Sequence, residues 1–270
     1  MCKKFVLASA LETIEGRFNS RLGLGTIEIP RMYSVGCGDS SYVITSGEPH
    51  VIQVFKFGMT PFYSETQIDL VNARAEGDKN LKDDPCYNGS KAIFLKPAFR
   101  KPVQFQRCIV IADAYYEWSD KNIPYLVFLQ NRDRPFGMAG IYDLWKDPQT
   151  REEVFAFAVV TTTANHLLQS IGAKRMPVIL SRSGESHWVK HSSPLADVLR
   201  LLNPYPYDKM NAYPVSDMID RPYFNDPSLL NPVGEKLIKE SAPTVVTASY
   251  KPHKMKTQSD KPWFKENQES

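Results

Sequence analysis

Four cysteines in 270 residues, Cys2, Cys37, Cys86 and Cys108, include no pair at CxxC spacing. A zinc knuckle needs two thiolates close enough in sequence to share one tetrahedral ion, so a cysteine-built zinc site is not expected. A disulfide framework is not favoured either, since such frameworks belong to small secreted chains. No apolar run approaches the ~18 residues of a membrane-spanning helix. The opening stretch MCKKFVLASALETIEGRF has one short apolar patch and then charges. It lacks the apolar centre of a secretory leader, which also argues against a lipidated Cys2. No internal repeat or low-complexity block interrupts residues 1–240. Excess charge is scarce as well: 33 Lys and Arg against 30 Asp and Glu leave +3, with a pI near 8.5. That permits an anionic partner without demanding one. The expectation is a cytoplasmic chain with no membrane span.

What remains is an ordinary globular composition, 42% hydrophobic and 23% charged, in a chain long enough for one large domain or two small ones. Residues 1–240 read as one domain. Residues 241–270 carry five lysines against three acids with no clear periodicity, and read as a weakly ordered polar tail. SYVIT (41–45) and HVIQVFKFG (50–58) form an expected hairpin around SGEP. RCIVIADAYYEW (107–118) begins as a buried strand and continues into an aromatic, acidic segment. PYLVFLQ (124–130), FGMAGIYDLW (136–145) and VFAFAVVTTT (154–163) follow at the spacing of an antiparallel meander. Helices are expected over 7–18, over 164–171 with its start at Asn165, over 184–191, and over 193–203 with Pro194 in its first turn. Antiparallel strands with peripheral helices predict an α+β domain.

Four stretches carry residues suited to chemistry. Cys2 is either an unremarked second residue or, once Met1 is removed, a 1,2-aminothiol. Its α-amine and thiol then have reference pKa values near 8 and 8.5. The amine can form a Schiff base with an aldehyde, and the sulfur can close a thiazolidine on the same carbon. The alternative use is as an N-terminal nucleophile with the amine as base. In VNARAEG (71–77), an extended backbone puts Asn72 and Arg74 on one face. The amide would then hydrogen-bond a ligand and the guanidinium would pair with phosphate, or the pair is a polar strand end. In ADAYYEWS (112–119), Glu117 lies between Tyr116 and Trp118. Desolvation there suits general acid–base work, and the aromatics suit base stacking, or the segment is an edge strand packed on the core. In SIGAKRMPVILS (170–181), Lys174 and Arg175 either deliver positive charge to a site or mark a solvated turn.

Taken in order, Met1-Cys2, NARAE (72–76), ADAYYEW (112–118) and KRMPVIL (174–180) resemble the SRAP family, the SOS response-associated peptidases or abasic-site-processing proteins. FKFGMTPFY (55–63), VVTTTAN (159–165) and AYPVS (212–216) are also similar, and the resemblance spans residues 1 to about 237. It implies a single α+β domain with a curled, barrel-like antiparallel β core, a positively charged groove, and no cofactor. It further implies binding of abasic sites in single-stranded DNA and covalent capture by Cys2, in a nucleoid-associated monomer, together with a peptidase activity seen as self-removal of Met1. Cys2 would be the nucleophile, Asn72 would position the amine or the sugar, and Glu117 would be the acid–base group. Arg74 would grip a phosphate, with Phe62, Tyr63 and Trp118 against bases and Lys3, Lys4, Lys174 and Arg175 supplying charge.

The chain departs from the family pattern at several places. A family histidine stands four residues before the proline of KRMP, where this chain has Ala173, or Gly172 if the register shifts by one. The family's Cys-Gly-Arg-Phe opening reads Cys2-Lys3-Lys4-Phe5, and Lys4 replaces an arginine fork with a point charge. An asparagine-x-alanine-proline turn reads SVGC (34–37). Without the histidine, three readings stand: a working crosslinker, a cysteine-dependent (auto)peptidase, and a non-catalytic single-strand-binding relative.

Overall fold

Runs of β-branched and aromatic side chains make this a strand-dominated chain. A computed structural model describes residues 2–130 and 134–239; the tail expected over 241–270 lies outside the described residues. In chain order the strands and helices are β1 Lys4–Leu7, α1 Leu11–Phe18, β2 Arg21–Leu22, β3 Met32–Val35, β4 Ser40–Thr45, β5 Val51–Phe57 and β6 Asn72–Arg74. They continue as α2 Pro97–Phe105, β7 Arg107–Ala112, β8 Ala114–Trp118, β9 Pro124–Leu129, β10 Phe136–Lys146 and β11 Glu153–Thr163. The last are α3 His166–Gln169, β12 Arg175–Pro177, α4 Arg182–Val189, α5 Leu195–Arg200 and β13 Met210–Pro214. No described helix is long and apolar enough to cross a membrane.

Five strands close a ring. β10 pairs antiparallel with β11 and β7, and β4 pairs antiparallel with β7 and β5. β5 then pairs parallel with β11, Phe57 opposite Phe157, which completes the circle. The barrel-like core that the family resemblance implied is therefore present, and one parallel contact closes it. So narrow a ring is filled by side chains. Gly140 on β10 shows how tightly: a Cβ there would lie 2.6 Å from Val110 Cγ2 and 2.8 Å from Cys108 Sγ. A second, antiparallel sheet runs β13-β9-β8-β1-β3.

The hairpin of β4 and β5 forms as expected, Ile44 opposite Ile52. The run over 107–118 does not stay one strand. It leaves the barrel at Asp113, whose carboxylate accepts the backbone N–H groups of Ala8 and Ser9 at 2.7 and 2.8 Å. β9 consequently joins the second sheet while β10 and β11 stay in the barrel, so the expected meander is divided between two sheets. The first helix begins at Leu11 and not at Leu7, because Val6 and Leu7 pair with β8 and β3. Asn165 caps α3 by accepting the Leu168 N–H at 3.2 Å. α2 carries Pro97 at its start and Pro102 within it, a composition that hides a helix from sequence reading.

β1 and β8 each have two buried faces. Phe5, Leu7 and Tyr115 pack with the barrel core, while Val6, Ala114 and Tyr116 pack in a smaller cluster with Phe128 and Ile219. Phe5 meets Phe57 edge-on at 5.5 Å, and Phe57 stacks on Phe157 at 5.2 Å. This row of rings ties the second sheet to the barrel directly behind β1.

Candidate active site

The antiparallel pairing of β1 and β8 sets Phe5 opposite Tyr115. Strand alternation then places Glu117 on the same face as Tyr115. Cys2, just ahead of β1, is fully buried within that cluster. β6 approaches from the barrel side, held parallel to β11 with Asn72 opposite Val159. The Asn72 side-chain Nδ2 donates to the Cys2 carbonyl at 2.9 Å. Three segments far apart in sequence thus bring Cys2, Asn72 and Glu117 together, with Tyr115 beside them.

The electrostatics follow from burial. Desolvation, and secondarily the negative charge of Glu117, push the Cys2 thiol up to about 12. Burial likewise raises the Glu117 carboxyl, with the charge of Lys3 among the opposing effects. Glu117 Oε1 also accepts the Trp118 N–H at 3.3 Å. Tyr115 is raised well above its ordinary value by burial and by its proximity to Glu117 and Cys2. Two polar atoms here have no hydrogen-bond partner among the described residues: Asn72 Oδ1 and the Tyr115 hydroxyl.

The residues expected on DNA divide into groups. Lys3 is exposed, with Nζ 5.8 Å from the centre of the Trp118 ring. Lys4 Nζ donates to the Ile219 carbonyl at 2.5 Å. Phe62 and Tyr63 form an edge-on pair, 53% and 52% exposed, on the loop that leads into β6. Lys101 of α2 sits 4.6 Å from the Phe62 ring. Arg74 shares the Asn72 face of β6, but its guanidinium is held bidentately by Asp83 at 2.8 and 3.1 Å. Lys174 is exposed, whereas Arg175 is only 1% exposed. The Arg175 guanidinium bonds Glu76 at 2.7 Å, Asp83 at 3.1 Å and the Thr161 carbonyl at 2.8 Å. The expected basic pair is therefore split by strand alternation, and Arg175 serves the interior and not the surface.

Sequence reading missed Asp83, Lys101 and Tyr115. Only Tyr115 had a local signal, its place two residues before Glu117 on the same strand face. The histidine-deficient segment lies close to this site, since Asp120 N–H, three residues past Glu117, donates to the Ile171 carbonyl at 3.0 Å. Gly172 has φ +84°, and a Cβ there would lie 2.7 Å from Asp120 Cβ, so no side chain fits. Ala173 is buried, and His166 is exposed at the head of α3 with its ring 5.9 Å from Tyr207.

With fold and site in view, comparison with known proteins gives a consistent picture. The chain belongs to the SRAP family: residues 1–222 match the family described as SOS response associated peptidase (SRAP). A relative from Bacillus subtilis (strain 168), "Abasic site processing protein YoqW", is 30% identical over 239 residues, covering 85% of this chain and 99% of that protein. The rat "Abasic site processing protein HMCES" is 27% identical over 182 residues, 56% of this chain and 50% of that protein. A crystal structure of a protein from Bacteroides thetaiotaomicron superposes with a TM-score of 0.73 at 29% identity, covering 86% of this chain and 99% of that one.

Proposed function

We propose that this chain, once Met1 is removed, processes abasic sites in single-stranded DNA by capturing the ring-opened aldehyde covalently at Cys2. The observation that carries the reading is the convergence on Cys2: Asn72 holds its carbonyl at 2.9 Å, and Glu117 is close enough to raise its thiol pKa. The names of the matched relatives support abasic DNA as the partner. In this reading the amine attacks first, Glu117 takes up the proton it releases, and the sulfur closes the thiazolidine afterwards. Lys3, Lys4, Arg74 and Lys174 contact the phosphate backbone, and Phe62, Tyr63 and Trp118 contact bases. Aromatic faces suit unpaired bases because they stack without regard to sequence.

The test is an oligonucleotide with one abasic site, mixed with protein whose Met1 is shown by intact mass to be absent. A heat-stable shifted band is expected with the wild-type chain and none with Cys2→Ala. A Cys2→Ala band of equal intensity, or no band with the wild type, refutes the reading. Salt-sensitive binding without any band would favour the non-catalytic relative.

A further inference from the structure

Tyr115 is fully buried in the core beside Phe5. Its hydroxyl is buried without a partner among the described residues, and so is Asn72 Oδ1. Buried polar groups are nearly always hydrogen-bonded, so two such atoms around one residue ask what they bind. Neither belongs to a structural network. Asn72 already holds Cys2 through its Nδ2, and Tyr115 is coupled electrostatically to both Cys2 and Glu117. One free group is an acceptor and the other a donor.

This donor and acceptor match the chemistry of amine addition to an aldehyde. As the Cys2 nitrogen forms its bond to the aldehyde carbon, the carbonyl π electrons move onto oxygen. The nitrogen's surplus proton leaves through Glu117 and reaches that oxygen, giving a carbinolamine. Loss of the oxygen as water leaves an imine; the sulfur then bonds to the same carbon, and the thiol proton passes to nitrogen. Atoms and charge balance with water as the only by-product. The nitrogen needs an acceptor for its N–H, and the oxygen needs a donor while it carries negative charge.

We propose that the Tyr115 hydroxyl is a catalytic group of this site, donating a hydrogen bond to the sugar aldehyde oxygen as it gains charge, with Asn72 Oδ1 accepting from the attacking amine. The inference rests on the capture reading above and assigns the oxygen-stabilising role within it. Tyr115 keeps its own proton throughout, as its strongly raised pKa requires. A fixed donor aimed where charge develops acts in the transition state more than in binding.

The experiment compares wild type and Tyr115→Phe, both full-length and free of Met1, in single-turnover capture of the abasic oligonucleotide at several DNA concentrations. Tyr115→Phe is expected to lower the limiting rate by about 10- to 1000-fold, the range for loss of one such donor. The half-saturating DNA concentration should stay within twofold. The melting temperature should hold or rise, because the phenylalanine removes an unsatisfied hydroxyl. A limiting rate within fivefold of wild type overturns the proposal. So does a fall in melting temperature alongside the rate, which would show that the hydroxyl serves the fold. Failure of the wild type itself to form a covalent product overturns the capture reading, and is told apart by that control.

Discussion

Glu117 is a carboxylate among aromatics, and its raised pKa has a sign that can be followed in stability. Below the unfolded-state value near 4.3 both states are protonated and burial costs little. As pH rises toward the folded-state pKa, the unfolded chain ionises first and stability falls. Glu117→Gln removes that cost, so its melting temperature should exceed that of wild type at pH 7 and match it near pH 4, by differential scanning fluorimetry. The same variant should slow capture by ~10²–10⁴-fold, the range for a lost proton-transfer group. Wild-type capture should also decline on acidification at a higher pH than an exposed carboxylate would give, and the Gln variant should lack that limb. Cys2, Asn72 and Glu117 were each too weak a signal alone in the sequence and stood out only through the ordered family resemblance; the structure brings the three together. Tyr115 was visible in the same string, but its meaning depends on which atoms lack partners, and no pattern of letters reports that. Asp83 was invisible for another reason: its grip on Arg74 is made by a loop with φ +54° at Asp83, a backbone state that neighbouring letters do not announce.

At the scale of elements, β6 is a three-residue strand with two duties. Asn72 reaches Cys2, and Arg74, on the same face, reaches Asp83. A bidentate carboxylate on an arginine fork occupies the geometry that a phosphate would take. Asp83→Asn weakens that hold and leaves Arg74 easier to draw onto a phosphate, so single-stranded DNA should bind several-fold more tightly. Fluorescence anisotropy measures this; unchanged affinity would mean that Arg74 does not contact DNA. The strands of the barrel were largely legible, since long apolar runs such as 154–163 carry their own signal. The division of 107–118 at Asp113 was not, because the turn is held by acceptor bonds to Ala8 and Ser9, more than a hundred residues upstream. α2 escaped notice because its two prolines argue against a helix, while tertiary packing of Phe99 and Val103 makes one.

For the whole molecule, the buried junction of Glu76, Arg175, Lys91 and Thr162 fastens β12 and the 76–92 loop onto β11. Burial pushes Glu76 up, but Arg175 and the bonds around it prevail and its pKa falls below the ordinary value. Its contribution to stability is present above the unfolded-state pKa and is lost as pH falls through the folded one. Arg175→Ala leaves a buried carboxylate short of its main partner, at a cost of about 3–5 kcal/mol. For a domain of this size that is a drop of roughly 6–20 °C in melting temperature, readable by calorimetry and steepest above pH 5. An arginine acting only on DNA would show the opposite pattern, intact stability with weakened binding.

The burial of Cys2 has a consequence for the order of events during synthesis. The surroundings of Cys2 are completed by Asn72, by Glu117, and by β11, the strand that holds β6 in place. Most of the domain must be made before that environment exists. Once β1 is paired, Cys2 is fully enclosed. For as long as the pocket is unbuilt, a Cys2 freed of Met1 is open to any small aldehyde, so the speed of barrel closure sets how much of such protein reaches its task unblocked.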